Sequence, residues 1–211
     1  MLMNAKKKTI FITQLKPFQA SSVIYSEMYN EEELIQQLKA PATREAAFRT
    51  LVLEFQEQLY WQIRRMVLTH EDTDDILQNV FIKVWQGIDQ FRCDSKLSTW
   101  LYRIANNETI NYLNKHRHRT ISLSDGEEPD TDGVRIQLES DPYFDGDETE
   151  KQLQVAIQTL PPKQRQVFNM KYFQEMKYED MSLILGTSIG ALKASYHHAV
   201  QKITNFFEHL D

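Results

Sequence analysis

The stretch DDILQNVFIKVWQ, residues 74–86, opens with two carboxylates and continues as an amphipathic pattern. The stretch KLSTWLYRIANNETINYLNKHRHR, residues 96–119, follows it and becomes strongly basic at its end. Apolar residues recur in both stretches at intervals of three and four, which predicts two helices. Helices that pack through their apolar sides leave their polar sides facing in different directions. We therefore expect a protein-docking surface on the first helix and a nucleic-acid surface on the second, back to back on one unit.

Three apolar stripes at helical spacing predict a bundle of three helices around these stretches. A shorter helix is expected before them, at residues 31–39, and Ser95 is a candidate N-cap for the third helix. The stripes contain, in chain order, Phe48, Leu51, Val52, Phe55, Leu59, Ile63, Met66 and Val67; then Ile76, Leu77, Val80, Phe81, Val84 and Ile88; and finally Leu97, Trp100, Leu101, Ile104 and Ala105.

The charge of the chain is unevenly distributed. The 211 residues carry a formal net charge of −6, but residues 125–150 contain eleven acidic side chains against one arginine, a net of −10. The rest of the chain therefore carries +4, and residues 91–119 contain six Lys or Arg against two acids. Phosphate groups would be attracted to this basic segment.

The acidic segment, residues 125–150, is interpreted as a linker because it contains three Gly and two Pro and lacks a sustained apolar period. As a flexible coil it would span roughly 28 Å, and fully extended about 85 Å. DNA contacts two helical turns apart are separated by about 70 Å, so reaching both requires an extended linker. Ile136 and Leu138 are apolar residues that could form a short ordered piece within the linker. The alternative interpretation of the whole segment is a spacer that only increases solubility.

Composition excludes several classes of protein. No apolar run approaches the ~18 residues of a membrane span, and the N-terminal apolar run ends too early for a secretory signal, so a cytoplasmic protein is expected. Cys93 is the single cysteine, so neither an internal disulfide nor a zinc site is expected. No nucleophile and base pair, phosphate loop or metal-ligand spacing indicates an enzyme. We therefore expect no catalytic residue and no cofactor.

Polar residues recur at every fourth position of the third predicted helix: Thr99, Arg103, Asn107, Asn111 and Lys115. Amides can offer a paired donor and acceptor to a base edge, and Arg and Lys neutralise phosphate. A solvated helix face would look similar, but the continuation into KHRHR at residues 115–119 favours nucleic acid. Trp100 and Tyr102 could stack on unpaired bases, although Trp100 also lies on the apolar stripe.

The C-terminal part predicts a helix-turn-helix, whose second helix is expected to enter the major groove of DNA. Helices are predicted at residues 153–160, 163–173 and 178–185, followed by a turn at residues 186–188 and a helix that Ser188 caps. On that last helix the inward positions are Ile189, Leu192, Tyr196, Ala199 and Ile203, and the outward positions are Gly190, Lys193, Ala194, His197 and His198.

Together the two halves resemble the extracytoplasmic-function (ECF) sigma factors of bacterial RNA polymerase, over residues 28–207. The most specific elements are DDILQNVFIKVW at residues 74–85, STWLYRIANN at 98–107, LPPKQRQVF at 160–168 and YEDMSLILGTSIGALKASYHHA at 178–199. Their order and spacing match sigma regions two and four.

This resemblance implies an all-α fold of two small helical domains joined by an acidic flexible linker. The expected domains are a region 2 helical bundle at residues 28–119, the linker at residues 120–150 and a region 4 helix-turn-helix domain at residues 151–211. Residues 1–27 are expected to form an N-terminal extension that is disordered or not translated, with Met28 as the working start.

The resemblance also implies a surface that binds core polymerase. Asp75 and Gln78 match the contacts that the family makes with the polymerase clamp, and Phe81 and Trp85 match residues that shape the helix. Asn79 stands where the family usually has an acidic residue, so its electrostatic contribution differs.

Promoter-binding residues are implied in the same way. Asn107 matches the family's asparagine near the pocket that captures a flipped base of the minus-ten element. The family often has arginine at positions 195 and 198, so no promoter preference is implied. The expected minus-ten surface contains Lys96, Thr99, Trp100, Arg103, Asn107, Asn111, Lys115, Arg117 and Arg119, and the expected minus-thirty-five surface contains Ser188, Lys193, Ala194, Ser195, His197 and His198.

The implied partners are the bacterial RNA polymerase core and promoter DNA, and the resemblance leaves a membrane anti-sigma factor open as a third. The implied function is recognition of both promoter elements and promotion of DNA melting, without insertion into a membrane. The acidic linker is expected to thread toward the polymerase active-site cleft and stand in for nascent RNA. The alternative is a one-component helix-turn-helix DNA-binding regulator that never docks polymerase.

Overall fold

The computed structural model describes residues 30–120, 131–139 and 147–209. Within these ranges the chain forms helices and no strand, which confirms the all-α expectation. The predicted extension at residues 1–27 lies outside the described residues. The helices are α1 (Glu31–Lys39), α2 (Arg44–Val67), α3 (His70–Gly87), α4 (Leu97–Thr120), α5 (Thr131–Glu139), α6 (Glu148–Gln158), α7 (Pro162–Tyr172), α8 (Tyr178–Leu185) and α9 (Ile189–Glu208), with a 3-10 turn at Ile88–Gln90.

Helices α1 to α4 form an N-terminal unit around one continuous apolar core. The three predicted stripes meet there, and Leu59, Val80 and Leu101, one from each stripe, are fully buried. Thr69 caps α3 by accepting a hydrogen bond from the backbone N–H of Asp72 at 3.2 Å. Acidic residues in the first turn of α3 complement the positive end of its helix dipole.

The start of α4 is capped from a distance. Glu31, the first residue of α1, accepts a hydrogen bond at 2.8 Å from the backbone N–H of Leu97, 66 positions later. The prediction that Ser95 caps this helix is wrong, because its hydroxyl donates to the carbonyl of Lys96 at 3.4 Å. A tertiary contact therefore satisfies an N–H that has no partner inside the helix.

Helices α6 to α9 form a C-terminal unit, whose core consists of two clusters around Phe168 and Met181. The turn between α8 and α9 begins at Gly186, whose φ of 61° lies in the left-handed region that favours glycine. Ser188 caps α9 as predicted, accepting a hydrogen bond from the N–H of Ala191 at 3.4 Å. The predicted helix-turn-helix is confirmed.

The acidic segment between the units contains a helix. Residues 131–139 form α5, in which Val134 and Leu138 lie four positions apart and share one face. Both pack in an apolar cluster with Leu68, Val155 and Phe206, while Ile136 is 66% exposed. The predicted short ordered piece is confirmed, and the prediction of a flexible linker is wrong for these nine residues.

The two units contact each other at the C-terminus of α2, whose last carbonyls have no partner inside the helix. The amide groups of Gln158 and Asn169 donate to the carbonyl of Arg65 at 3.2 and 3.4 Å. The guanidinium of Arg165 reaches the carbonyl of Met66 at 3.5 Å. The C-terminal unit thus caps a helix of the N-terminal unit.

Candidate functional site

The exposed side of α3 combines polar residues with two apolar ones. Asp75, Gln78 and Asn79 are exposed, and the Asn79 amide donates to the carbonyl of Asp75 at 2.9 Å. Ile82 and Trp85 continue this side and are 52% and 39% exposed. Positions 75, 78, 79, 82 and 85 repeat at steps of three and four, so they lie along one face, which we call the α3 face. Phe81 is half-buried against the core at its edge.

The indole of Trp85 is held in one orientation on the α3 face. The Arg44 guanidinium lies 4.7 Å from the ring centroid, and the Phe48 ring meets it edge-on at 4.9 Å. Arg44 also donates to the Trp85 carbonyl at 2.6 Å and to the Asp89 carboxylate at 3.0 Å. Sequence reasoning missed both Arg44 and Ile82. Ile82 could have been found, because it is an apolar residue that lies off the core stripe of α3.

Helix α4 presents a row of amide and basic side chains, which we call the α4 face. Its exposed members are Lys96, just before the helix, and Arg103, Asn107, Asn111 and Lys115 within it. Lys83 of α3 forms a 2.5 Å ion pair with Glu108, which neutralises the carboxylate that neighbours Asn107. The face is therefore rich in hydrogen-bond donors and carries a positive charge.

Two predicted members of the α4 face point into the protein instead. Thr99 is 4% exposed, because residues four apart drift by about 40° per step and carry this position around to the core side. The ring of Trp100 packs at 5.2 Å from that of Phe91, and a Cβ at Gly87 would lie 3.5 Å from it. Trp100 is half-buried, as its place on the apolar stripe indicated. The side chains of Arg117 and Arg119 lie outside the described residues.

Tyr102 cannot stack on a base in this structure because it lies between the two units. Its ring packs with apolar residues of α7 and α8, and its hydroxyl donates to Gln58 at 2.9 Å. Burial raises the pKa of Tyr102 to about 12, and the nearby positive charge of Arg65 opposes that shift. The phenol therefore remains protonated and can keep donating this hydrogen bond at neutral pH.

Helix α9 places its predicted inward residues Leu192, Ala199 and Ile203 in the core. The opposite side, which we call the α9 face, exposes Ser188, Lys193, Ala194, His197 and His198, and Ser195 is half-buried beside them. A surface groove of about 520 Å³ borders this face, lined by Gln164, His198, Gln201, Lys202 and Asn205.

Lys193 on the α9 face is positioned by an aromatic ring. Its ammonium lies 5.7 Å from the ring centroid of Tyr178, and the ammonium of Lys171 lies 5.1 Å from the same centroid. Both distances fall within the range of a cation–π interaction. Tyr178 starts α8, so the first helix of the helix-turn-helix holds a cation of the second.

None of the described helices combines the length and the apolar character that a membrane crossing requires. The described part of the chain also lacks any group of three or more His, Cys, Asp or Glu side chains arranged to hold a metal ion. The candidate binding surfaces are the α3, α4 and α9 faces.

Comparison of the sequence with family profiles gives two matches in chain order. Residues 51–119 match sigma-70 region 2, and residues 150–203 match sigma-70 region 4. The RNA polymerase sigma-H factor of Pseudomonas aeruginosa is 29% identical over 178 residues, covering 82% of this chain and 91% of that protein. The ECF RNA polymerase sigma factor SigW of Bacillus subtilis is 32% identical over 158 residues, covering 72% of this chain and 83% of that protein.

Solved structures show the same fold. CnrH in complex with the cytosolic domain of CnrY aligns with a TM-score of 0.61 at 19% identity, covering 85% of this chain and 97% of that one. The sigma factor RpoE of Bartonella quintana, in complex with the anti-sigma factor NepR, also aligns with a TM-score of 0.61. Its sequence identity is 20%, and the alignment covers 76% of this chain and 96% of that one.

Proposed function

The chain belongs to the ECF sigma factors of the sigma-70 family, and from this premise we propose that it directs bacterial RNA polymerase to promoters. It binds the core enzyme, recognises minus-ten and minus-thirty-five elements and stabilises the melted minus-ten strand. It acts by binding alone and performs no catalysis. Polymerase and its DNA are in the cytoplasm, where this chain therefore acts.

The observation that carries the proposal is the pair of faces on the N-terminal unit. The α3 face and the α4 face lie on adjacent helices that pack through their apolar sides. A protein with this arrangement holds an enzyme on one side and a nucleic acid on the other at the same time. That is the requirement for a factor that positions polymerase on DNA.

The α3 face binds the polymerase core in this proposal. Asp75, Gln78 and Asn79 supply hydrogen-bonding groups, and Trp85 with Ile82 supplies exposed apolar area. Buried aromatic anchors within a polar rim carry much of the binding energy in protein interfaces. The clamping of Trp85 by Arg44 and Phe48 reduces the side-chain entropy that is lost on binding.

The α4 face binds the melted minus-ten strand. Asn107 offers an amide to the edge of an extruded base, and Arg103 and Lys115 neutralise backbone phosphates. Extruding a base costs a few kcal/mol, so this face acts together with the other polymerase and promoter contacts. Trp100 supports the helix from the core side.

The α9 face reads the duplex minus-thirty-five element through the major groove. Lys193 is the exposed cation of this face nearest the start of the recognition helix, and His197 and His198 lie one turn further along. Side chains at such positions contact base edges and phosphates. The acidic linker runs toward the active-site cleft and competes with nascent RNA for basic walls. An anti-sigma factor is a further partner in this proposal.

Reconstituted transcription tests the proposal. Core polymerase, this protein and a library of promoter sequences should yield run-off transcripts from a subset that shares two spaced elements. Without the protein, core polymerase should not select that subset. A one-component regulator would instead bind duplex DNA and show neither core binding nor specific initiation by core polymerase, and that result would overturn the proposal.

A further inference from the structure

We propose that α5 is a latch that holds the free protein closed, and that its release lets the two units separate to reach both promoter elements. In the closed protein, Val134 and Leu138 of α5 pack in an apolar cluster with residues of both units. The inference rests on the proposed function for the need to separate, whereas the closed state itself is a property of the free chain.

The latch residue is Leu138, which is 3% exposed although it lies in the acidic segment. It packs in one cluster with Leu68 of the N-terminal unit and Val155 of the C-terminal unit. Arg135 pairs with Glu148 at 2.5 Å, and Lys151 lies 3.9 Å from Glu139, so ion pairs fasten α5 to α6. One linker side chain thus joins the two units.

Leu68 shows that the junction is held under strain. Its φ of 68° lies in the left-handed region, which is unfavourable for a side chain with a Cβ. Leu68 is nevertheless 8% exposed, because the turn aims its side chain at the cluster that contains Leu138. The apolar contact offsets the strain in the backbone.

The closed arrangement cannot engage a whole promoter. Helix α4 packs against α8 of the helix-turn-helix, with Tyr102 in the same cluster as Met181 and Ile184. Contacts two helical turns apart on DNA are separated by about 70 Å. With 24 residues, α4 is itself only about 36 Å long. Helix α8 packs in turn against α9, so the α4 and α9 faces lie only one intervening helix apart. Faces this close do not span about 70 Å, so the units must move apart.

The part of the interface around Arg65 and Asn169 is suited to opening because it buries polar groups. Burial lowers the pKa of Arg65 to about 10, so its guanidinium is still charged at neutral pH, 4.3 Å from the ring centroid of Phe173. The Oδ1 atom of Asn169 is buried and finds no partner among the described residues. Buried polar groups without full hydrogen bonding favour the hydrated state. The closed state therefore depends on the apolar contacts between the units, which are those of Leu138 and of Tyr102.

Energy transfer between two dyes in the free protein tests the latch. The native Cys93 is exposed and labels the N-terminal unit, and Asn205→Cys labels an exposed position on α9. Leu138→Ser is compared with Ile136→Ser, which makes the same kind of change on the exposed side of the same helix. Burial of one leucine shifts such an equilibrium by on the order of tenfold to a hundredfold.

We expect high transfer in the otherwise unmodified protein and with Ile136→Ser, and a clear loss with Leu138→Ser at unchanged helix content. Added core polymerase should lower transfer in all three. The inference is overturned if Leu138→Ser transfers as efficiently as Ile136→Ser, or if both lose transfer equally. Because this comparison uses the free protein, failure of the latch is distinguishable from failure of run-off transcription.

A locked variant keeps the test decisive should Leu138→Ser unfold. Leu68→Cys with Leu138→Cys, in a Cys93→Ser background, would tie α5 to the N-terminal unit. The oxidised form should lose most initiation at promoters with two elements, and a reductant should restore it. Equal initiation by both forms, or failure of the disulfide to form under oxidation, contradicts the latch.

Discussion

The N-terminal and C-terminal units differ in how they build a core beneath their exposed faces. The N-terminal unit has one continuous cluster of sixteen buried residues, which supports both the α3 and the α4 face. The C-terminal unit divides its core into clusters of seven and five buried residues, and Tyr102 of the N-terminal unit packs on the smaller one. The comparison indicates that the first unit is self-sufficient and that the second gains stability from its neighbour.

The largest expected effect comes from breaking the continuous core. Leu59→Ala removes a fully buried side chain and should lower the free energy of unfolding by about 2–5 kcal/mol, with loss of both polymerase and minus-ten binding. Leu53→Ala, on the same helix but 73% exposed, should change it by less than about 0.5 kcal/mol. Urea denaturation measures both. Equal losses would contradict the assignment of Leu59 to the core.

Binding of core polymerase should depend on the exposed side chains of the α3 face, and substituting them should leave the core beneath intact. Asp75→Ala with Gln78→Ala should weaken core-polymerase binding by roughly tenfold or more, because interface residues near exposed aromatic anchors carry much of the energy. The fold should be unchanged, since both positions are exposed. Fluorescence titration with core polymerase measures the affinity, and Glu71→Ala, exposed at the start of α3, is the control. Unchanged affinity in the double variant would remove the docking assignment.

Substitutions on the α4 face should affect minus-ten recognition and leave polymerase binding unchanged. Asn107→Ala should slow open-complex formation and relax the preference at one minus-ten base, because a paired donor and acceptor is lost. Asn106→Ala changes the same residue type about 100° around the helix and should have little effect. Permanganate footprinting across a set of minus-ten variants measures both. An unaltered base preference in Asn107→Ala would show that another residue lines the pocket.

The α9 face should respond to a change in the first helix of the helix-turn-helix. Lys193→Ala should weaken binding to the minus-thirty-five duplex and reduce the slope of log affinity against log salt by about one. Tyr178→Leu should weaken binding by a few-fold, because its ring holds Lys193, whereas Tyr178→Phe keeps the ring. A Tyr178→Phe loss as large as that of Tyr178→Leu would assign the effect to the hydroxyl group.

The smallest effect is expected from the acidic segment that joins the units. Replacing its eleven acidic residues by Asn or Gln at constant length removes their negative charge and should change the ratio of abortive to full-length transcripts. The change should be greater at low salt, because salt screens the charges. Core binding should change less. Unaltered transcript ratios at every salt concentration would leave the segment as a spacer.

Much of this architecture could be predicted because its signals are local. The apolar periods located the N-terminal bundle, and the Gly186 turn with the Ser188 cap located the helix-turn-helix. What local signals missed depends on tertiary contacts. Leu138 is buried because residues of both units pack around it. The clamp on Trp85 likewise comes from Arg44 on another helix. Thr99 is the exception, because local helix geometry carries a four-residue repeat around to the core side.

The cap that Glu31 provides for α4 restricts how this protein can be recombined with its relatives. A chimera that takes α4 from this chain but its leading helix from another would leave the Leu97 N–H without its acceptor, unless the donor offers a carboxylate or amide at the matching place. The segment that can be exchanged as a unit therefore includes α1 as well as α4. Grafts that transfer α1 together with α4 should retain the helix start, and grafts of α4 alone should fray there.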